Sequence, residues 1–235
     1  MRTVATVLAG GLGQRTGLGI PKQLLKIAGK TVLEHSVAAF SAAPEIDEII
    51  VVMTAGRTGA VAELLARGSH HKVSQVIEGG QTRSASTRRA LAALGAEECD
   101  VLLHDAARPL VSQQIIEGCV TALKVYQAVG VTIPASDTIV VTADGVITQM
   151  PSRGSLHRCQ TPQGFRLSVI RRAYELAGRD PAFTATDDCG VVLRYLPEVP
   201  IGVVAGSERN IKVTYPDDIA VAEALLKGDS HRGRG

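Results

Sequence analysis

The sequence contains no tryptophan, and aromatic residues make up only 3% of its 235 positions. There is no row of Phe or Tyr on which bases could stack, which argues against a single-stranded nucleic acid as partner. An excess of one charge is missing too. The 25 Lys and Arg nearly balance the 23 Asp and Glu, leaving a formal net charge of +2, without the basic surplus that phosphate backbones demand. No apolar run approaches the roughly 18 residues of a membrane span, and Arg2 leads straight into a β-branched run rather than a signal-peptide pattern. Cys99, Cys119, Cys159 and Cys189 are widely spaced, with no C-x-x-C. That pattern suits neither a disulfide framework nor a zinc site, and reads as reduced thiols in a cytoplasmic protein. A dense carboxylate cluster is also absent.

What the chain does have is a glycine-rich first loop, Leu8-Ala9-Gly10-Gly11-Leu12-Gly13-Gln14-Arg15, followed by Pro21-Lys22-Gln23. It comes directly after Thr3 to Val7, which reads as a buried first strand. Glycines at the carboxyl end of such a strand let the backbone approach a ligand closely, the usual place for phosphates and nucleotides in open α/β sheets. Two cations, Arg15 and Lys22, point to a triphosphate. The dinucleotide fingerprint does not fit: Gly17 comes one place too late, and Val51-Val52-Met53-Thr54 carries no acid for a ribose. A P-loop ending in Gly29-Lys30-Thr31 is excluded by Leu24, which stands where a glycine is required.

The remaining pattern alternates strand and helix. Thr31-Val32-Leu33-Glu34 is a capping box opening a helix to about Ala42. Strands are expected at 46–53, 73–77, 101–104 and 129–134, and helices at 59–67, 84–94 and 112–126. This βαβ rhythm implies a Rossmann-like, mostly parallel sheet with helices on both faces. It breaks at Thr138–Met150, where Asp144-Gly145 joins two short β-branched runs into a hairpin. Helices follow at 167–176 and 187–194, then a strand at 201–204 and a last helix from Pro216, an N1 position, to Leu226. The expected organisation is one domain over 1–227 with an inserted β-arm at about 137–158, and a frayed tail over 228–235.

Chemistry-bearing residues gather in clusters. Gly79-Gly80-Gln81-Thr82-Arg83-Ser84-Ala85-Ser86 suits either a plain helix N-cap or a nucleotide contact at a helix N-terminus. His104-Asp105-Ala106-Ala107-Arg108-Pro109 ends the fourth main strand. There Asp105 suits a metal or a sugar hydroxyl and Arg108 a phosphate, unless the two simply pair to pin the loop. Asp137-Thr138 and Arg153 bracket the hairpin, and Thr161-Pro162-Gln163-Gly164-Phe165 and Thr184-Ala185-Thr186-Asp187-Asp188 come after it. The second of these reads equally as a helix N-cap. Asn210-Ile211-Lys212-Val213-Thr214 places one lysine in an otherwise apolar strand, either snorkelling or reaching a phosphate.

Taken in order, the first loop, Pro21-Lys22-Gln23, His104-Asp105-Ala106-Ala107-Arg108-Pro109, Gln160-Thr161-Pro162-Gln163 and Asn210-Ile211-Lys212-Val213-Thr214 resemble the 2-C-methyl-D-erythritol 4-phosphate cytidylyltransferases, from Val4 to Leu226. The broader class is the glycosyltransferase-A-like nucleotidyltransferases. The resemblance implies that Ala9, Gly10, Gly11, Gly13, Gly80, Ser86 and Ala106 line a CTP pocket. Arg15, Lys22 and Lys212 would act as catalytic cations around the phosphates. Asp105, Arg108, Thr138, Arg153, Thr161 and Thr186 would bind a polyol phosphate. It further implies a homodimer through the arm, with Asp105, Arg108, Thr138 and Arg153 completing the partner's site, and Mg²⁺ carried mainly by the CTP phosphates rather than by protein ligands.

The implied reaction is attack by a polyol phosphate on the α-phosphorus of CTP, with pyrophosphate leaving. The nucleophile is already anionic, so the demand is for positioning and fixed cations rather than a general base. The first loop, Asp137-Thr138-Ile139-Val140 and Lys212-Val213-Thr214-Tyr215 also resemble the sister enzymes that activate ribitol 5-phosphate for cell-wall or capsule polymers. Three readings therefore stand: the methylerythritol-phosphate enzyme, a ribitol-phosphate or related enzyme, and a nucleotide-binding protein without catalysis. The retained Arg15, Lys22 and Lys212 weigh against the last.

Overall fold

The computed structural model describes residues 1–10, 21–68 and 70–232. The first strand, β1 (Thr3–Ala9), is buried along its whole length, as its β-branched run requires. A small hairpin, β2 (Lys26–Ile27) and β3 (Lys30–Thr31), turns at Ala28 and Gly29, both with positive φ. Helix α1 (Val32–Ala42) opens on the expected capping box: the Thr31 hydroxyl accepts from the Glu34 amide at 3.1 Å, and the Glu34 carboxylate accepts from the Thr31 amide at 2.7 Å. Then come β4 (Glu48–Met53), α2 (Thr58–Ala66), β5 (Val73–Glu78), α3 (Arg83–Ala93), β6 (Asp100–Asp105), α4 (Gln113–Ala122) and β7 (Ala128–Pro134). The arm is β8 (Val141–Ala143) and β9 (Val146–Gln149). Asp144 and Gly145 take φ of 48° and 78°, the left-handed pair that an Asp-Gly hairpin turn needs. The chain closes with β10 (His157–Arg166), α5 (Leu167–Ala177), α6 (Asp188–Tyr195), β11 (Ile201–Ala205) and α7 (Asp217–Arg232).

Seven strands form the main sheet in the order β11-β7-β10-β6-β1-β4-β5. All neighbouring pairs are parallel except those of β10, which runs antiparallel to both β6 and β7. Side chains alternate between two layers. Ala5, Val7, Val51 and Met53 pack with Leu33, Val37, Phe40, Val61, Ile116 and Cys119 from α1, α2 and α4. Val4, Ile50, Val101 and Leu103 pack with Leu91, Ile170, Ala173 and Val192 from α3, α5 and α6. A third cluster, Ile27, Val32, Val213 and Ala222, seats α7 against the small hairpin.

Three expectations change. The long strand β10 carries the Thr161-Pro162-Gln163 cluster, which the sequence places between elements; its central residues are polar yet buried. Residues Ile211–Thr214 belong to no strand: the Val213 amide donates to the Ala107 carbonyl at 2.7 Å, but the Thr214 amide turns to the Asp218 carboxylate at 2.6 Å. Helix α7 runs to Arg232, past Leu226 and into the segment expected to fray. Gly228 alone costs a helix only about 1 kcal/mol relative to alanine, which need not end it.

Candidate active site

The carboxyl ends of β1, β6 and β5 meet at one edge of the sheet. The parallel ladder fixes their register, with Leu8 opposite Asp105 and Ala9 opposite Met53. The Ala106 amide extends it by donating to the Leu8 carbonyl at 3.0 Å. Three glycines surround Ser86 there. A Cβ on Gly10 would stand 3.0 Å from the Ser86 hydroxyl oxygen, and one on Gly79 would stand 2.8 Å away. A Cβ on Gly80 would come within 2.3 Å of the Ala85 Cβ. The Ser86 hydroxyl accepts from the Gly80 amide at 3.1 Å and donates to the Thr82 carbonyl at 3.0 Å. The structure brings Ala9, Gly10, Gly80, Ser86 and Ala106 to this edge, the residues to which the resemblance gives a CTP pocket. Gly11, Gly13 and Arg15 lie outside the described residues. Thr82 caps α3, its hydroxyl accepting from the Ala85 amide at 3.0 Å, as the local reading of that cluster requires.

Beside this edge is a cavity of about 220 Å³, smaller than the roughly 300 Å³ and upward of drug-sized pockets and suited to a small polar ligand. It is lined by Arg83, Asp105, Arg108, Thr161, Thr186 and Lys212, with Cys159, Gln160, Gln163 and Asp187. Asp105 stands at its centre. Its Oδ1 accepts from Arg83 Nε at 3.0 Å and its Oδ2 from Lys212 Nζ at 2.6 Å. Burial opposes the Asp105 charge, but Arg83 and Lys212 outweigh it and hold the carboxyl well below the usual range. Asp105 is not paired with Arg108 to pin the loop. Arg108 instead donates to the Asn210 carbonyl at 2.7 Å and the Cys159 carbonyl at 3.3 Å.

Behind Asp105 the hydrogen bonds run in one direction. The Asp105 amide donates to the Thr161 hydroxyl at 3.1 Å, which faces His104 Nδ1 at 3.1 Å, while His104 Nε2 faces the Arg108 carbonyl at 3.0 Å. With Nε2 carrying the proton and Nδ1 accepting, every partner is satisfied. Burial pushes His104 down to about 4, so it is neutral at pH 7. Gln160 and Gln163 hold the rim. Gln160 bonds Ser207 and Asn210, and Gln163 accepts from the Asp188 and Cys189 amides at 3.0 Å each.

Lys22 lies in a single 3₁₀ turn, and its Nζ donates to the Val213 carbonyl at 2.9 Å, one residue from Lys212. The Lys22 side chain thus reaches the backbone beside Lys212 although 190 positions separate the two lysines in sequence. Asp105 and Arg108 lie in the chain's own cavity with Lys212. Asp105 ends β6 and Arg108 follows three residues later, so both line a cavity built within one chain, where the resemblance had them completing a partner's site. Thr138 and Arg153 do not line that cavity. Both are exposed on the arm, and Arg153 bonds the Ser136 carbonyl at 3.3 Å. Arg83 is the residue that sequence reasoning missed. It sits at the first position of α3, inside a cluster that a capping motif explains by itself. The only signal was a cation beside the glycines.

The comparisons agree with one another. The family model for 2-C-methyl-D-erythritol 4-phosphate cytidylyltransferase matches residues 3–228. A protein of that name from Thermobifida fusca is 57% identical over 233 residues, covering 96% of this chain and 94% of its own. A Haemophilus influenzae bifunctional ribulose 5-phosphate reductase/CDP-ribitol pyrophosphorylase is 42% identical, covering 98% of this chain and 49% of its own. Among solved structures, the 4-diphosphocytidyl-2C-methyl-D-erythritol synthase of Anaerococcus prevotii superposes with a TM-score of 0.85 at 28% identity, covering 96% of each chain. The chain belongs to the 2-C-methyl-D-erythritol 4-phosphate cytidylyltransferase family and is a nucleotidyltransferase enzyme.

Proposed function

We propose that the glycine-lined edge around Ser86 seats CTP, and that the cavity at Asp105 seats 2-C-methyl-D-erythritol 4-phosphate, whose phosphate attacks the α-phosphorus of CTP. The observation that carries this reading is the cavity in which Arg83 and Lys212 hold the Asp105 carboxylate and Arg108 lines the wall, with Lys22 bonded to the Val213 carbonyl beside Lys212. Two anions must meet in the reaction, and fixed cations offset their repulsion without reorganising as charge develops. Asp105, held ionised, accepts hydroxyls of the polyol. Arg108 and Thr186 meet the acceptor from the cavity wall, and Thr161 holds the Asp105 backbone in register. Lys22 and Lys212, with Arg15 from the first loop, face the phosphates.

Among the described residues no group of three or more His, Cys, Asp or Glu is placed to hold a metal ion. Both Asp105 oxygens are engaged by cations. This donor set fits Mg²⁺ resting on nucleotide phosphates and water, which needs few protein ligands. Carried on the nucleotide, Mg²⁺ would supply neutralisation of phosphate charge. The four cysteines are free, which supports a cytoplasmic setting. No helix among the described residues is long and apolar enough to cross a membrane.

A second copy of this chain is the proposed cover for the arm. Ile139, Val146, Ile147 and Met150 are 42%, 64%, 58% and 65% exposed, and an isolated hairpin is marginal in water. Crossing to a partner would bury these side chains and bring Thr138 and Arg153 to that partner's acceptor cavity. The deciding experiment is pyrophosphate release with CTP, comparing 2-C-methyl-D-erythritol 4-phosphate and ribitol 5-phosphate side by side. The first should win in kcat/KM by about tenfold or more. A win for ribitol 5-phosphate would move the chain to the chemistry named for the Haemophilus relative. UTP, ATP or GTP outperforming CTP would overturn the nucleotide assignment.

A further inference from the structure

Asp188 is fully buried in the first turn of α6, outside the acceptor cavity. Its Oδ1 accepts from the Tyr174 hydroxyl at 2.6 Å and the Thr87 hydroxyl at 3.1 Å. Its Oδ2 lies 2.7 Å from a terminal nitrogen of Arg83, whose Nε is the donor to Asp105. Arg83 therefore bridges two carboxylates, one hidden and one at the cavity. Burial opposes the Arg83 charge, yet Asp188 and Asp105 together hold it well above its ordinary value. Burial and the neighbouring Asp188 anion likewise raise Tyr174, which stays a proton donor.

The two cations at Asp105 differ in how they are held. The Lys212 side chain is 42% exposed and meets Asp105 through one flexible stem. The Arg83 side chain is 25% exposed and is held through two nitrogens of one planar group, Nε at Asp105 and a terminal nitrogen at Asp188. A buried ion pair of this kind is weak evidence for stability, because well-packed apolar groups usually serve as well. Its geometric consequence is definite: the direction from which Arg83 approaches Asp105 is set by a carboxylate that no substrate touches. We infer that Asp188, oriented by Tyr174 and Thr87, is a positioning residue for the acceptor cavity, holding Arg83 where it fixes the Asp105 carboxylate for the polyol. This inference rests on the reading of Asp105 as the polyol-binding group.

The test is steady-state kinetics of Asp188→Asn, which keeps the volume and an oxygen acceptor for Tyr174 and Thr87 and replaces the anionic oxygen facing Arg83 with an amide NH2. Acceptor KM should rise about tenfold or more, with kcat and CTP KM within about threefold of wild type. Asp188→Glu, which keeps the charge, should recover part of the loss. Tyr174→Phe should shift acceptor KM in the same direction by less, and it carries the test if Asp188→Asn fails to fold in a thermal melt. The double variant Asp188→Asn/Asp105→Asn should be no worse than Asp105→Asn alone, since both act through one carboxylate. Additive losses, or an equal rise in CTP KM, would overturn the proposal and leave Asp188 a general structural group. If Asp105→Asn raises acceptor KM and neither Asp188→Asn nor Tyr174→Phe does, the positioning role alone falls. If Asp105→Asn leaves acceptor KM unchanged, the reading of the cavity falls, and this inference with it.

Discussion

The cavity at Asp105 and the hairpin arm come from one chain but are built in opposite ways. In the cavity, Asp105 has a cation on each oxygen, Thr161 is bonded to His104 and to the Asp105 amide, and Gln163 caps α6. On the arm every residue of β8 and β9 is exposed, and Arg153 has one long bond to a backbone carbonyl. The cavity is preorganised within a single chain, so its chemistry can be derived from the contacts in hand. The arm shows large apolar side chains to solvent, the surface that the proposed crossing to a second copy would cover.

The sharpest way to break this contrast is at the preorganised end. Lys22→Ala should lower kcat by on the order of 10²–10³, the usual cost of removing one fixed transition-state donor. Lys22→Met, keeping the stem but not the charge, should fall as far. Near wild-type kcat in either folded variant would remove Lys22 from the catalytic set. At the other end, Arg153→Ala should be nearly inactive alone and yet be rescued by Lys22→Ala. If the arms cross, subunit exchange at equal mixing makes about half the dimers mixed, each with one intact site, so activity should approach about a quarter of wild type. Verified exchange without recovery would place Arg153 in its own subunit's site. Sedimentation showing a fully active monomer would remove the crossing altogether.

Two smaller effects sharpen the cavity side. His104 has a folded-state value of about 4, against its ordinary 6.5. As pH falls, the unfolded chain takes up this proton first, so the contribution is complete above about 6.5 and is lost progressively towards 4. The loss should reach at most about 3 kcal/mol. Denaturant titrations across that window should show it, and His104→Gln should flatten the slope; an unchanged slope would mean that His104 does not cause it. Gly80→Ala should cost about 1–3 kcal/mol through overpacking against Ala85 and should raise CTP KM, read by thermal melts and kinetics. A melt matching wild type would show that the α3 N-terminus yields more easily than the 2.3 Å approach suggests.

Elements with strong local chemistry were legible in the sequence. The capping box at Thr31 and Glu34, the Asp-Gly turn of the arm and the β-branched runs of β1 and β4 all stand where residue types place them. Strand β10 was not legible because its middle reads Gln160-Thr161-Pro162-Gln163-Gly164. Those side chains serve the cavity and the end of α6, so they lack the apolar alternation that announces a strand. The stretch around Lys212 misled in the opposite sense, since Ile211 and Val213 alternate like a strand but pack beneath α7. Arg83 was hidden because a good N-cap at Thr82 already accounts for its neighbours. Its role depends on Asp188, which lies 105 positions further along the chain.

The placement of β10 between β6 and β7 also bears on when the site comes into being. Asp105 meets Thr161 across 56 positions and Lys212 across 107. Contacts this distant in sequence must close long loops before they are rewarded, so they tend to form late in folding. During synthesis the glycine-lined edge at β1, β4, β5 and β6 can assemble while the cavity at Asp105 still lacks its far wall. A ribosome-bound chain ending before Lys212 would thus hold much of its core without a complete cavity at Asp105, and turnover would report that the last tenth of the polypeptide has docked.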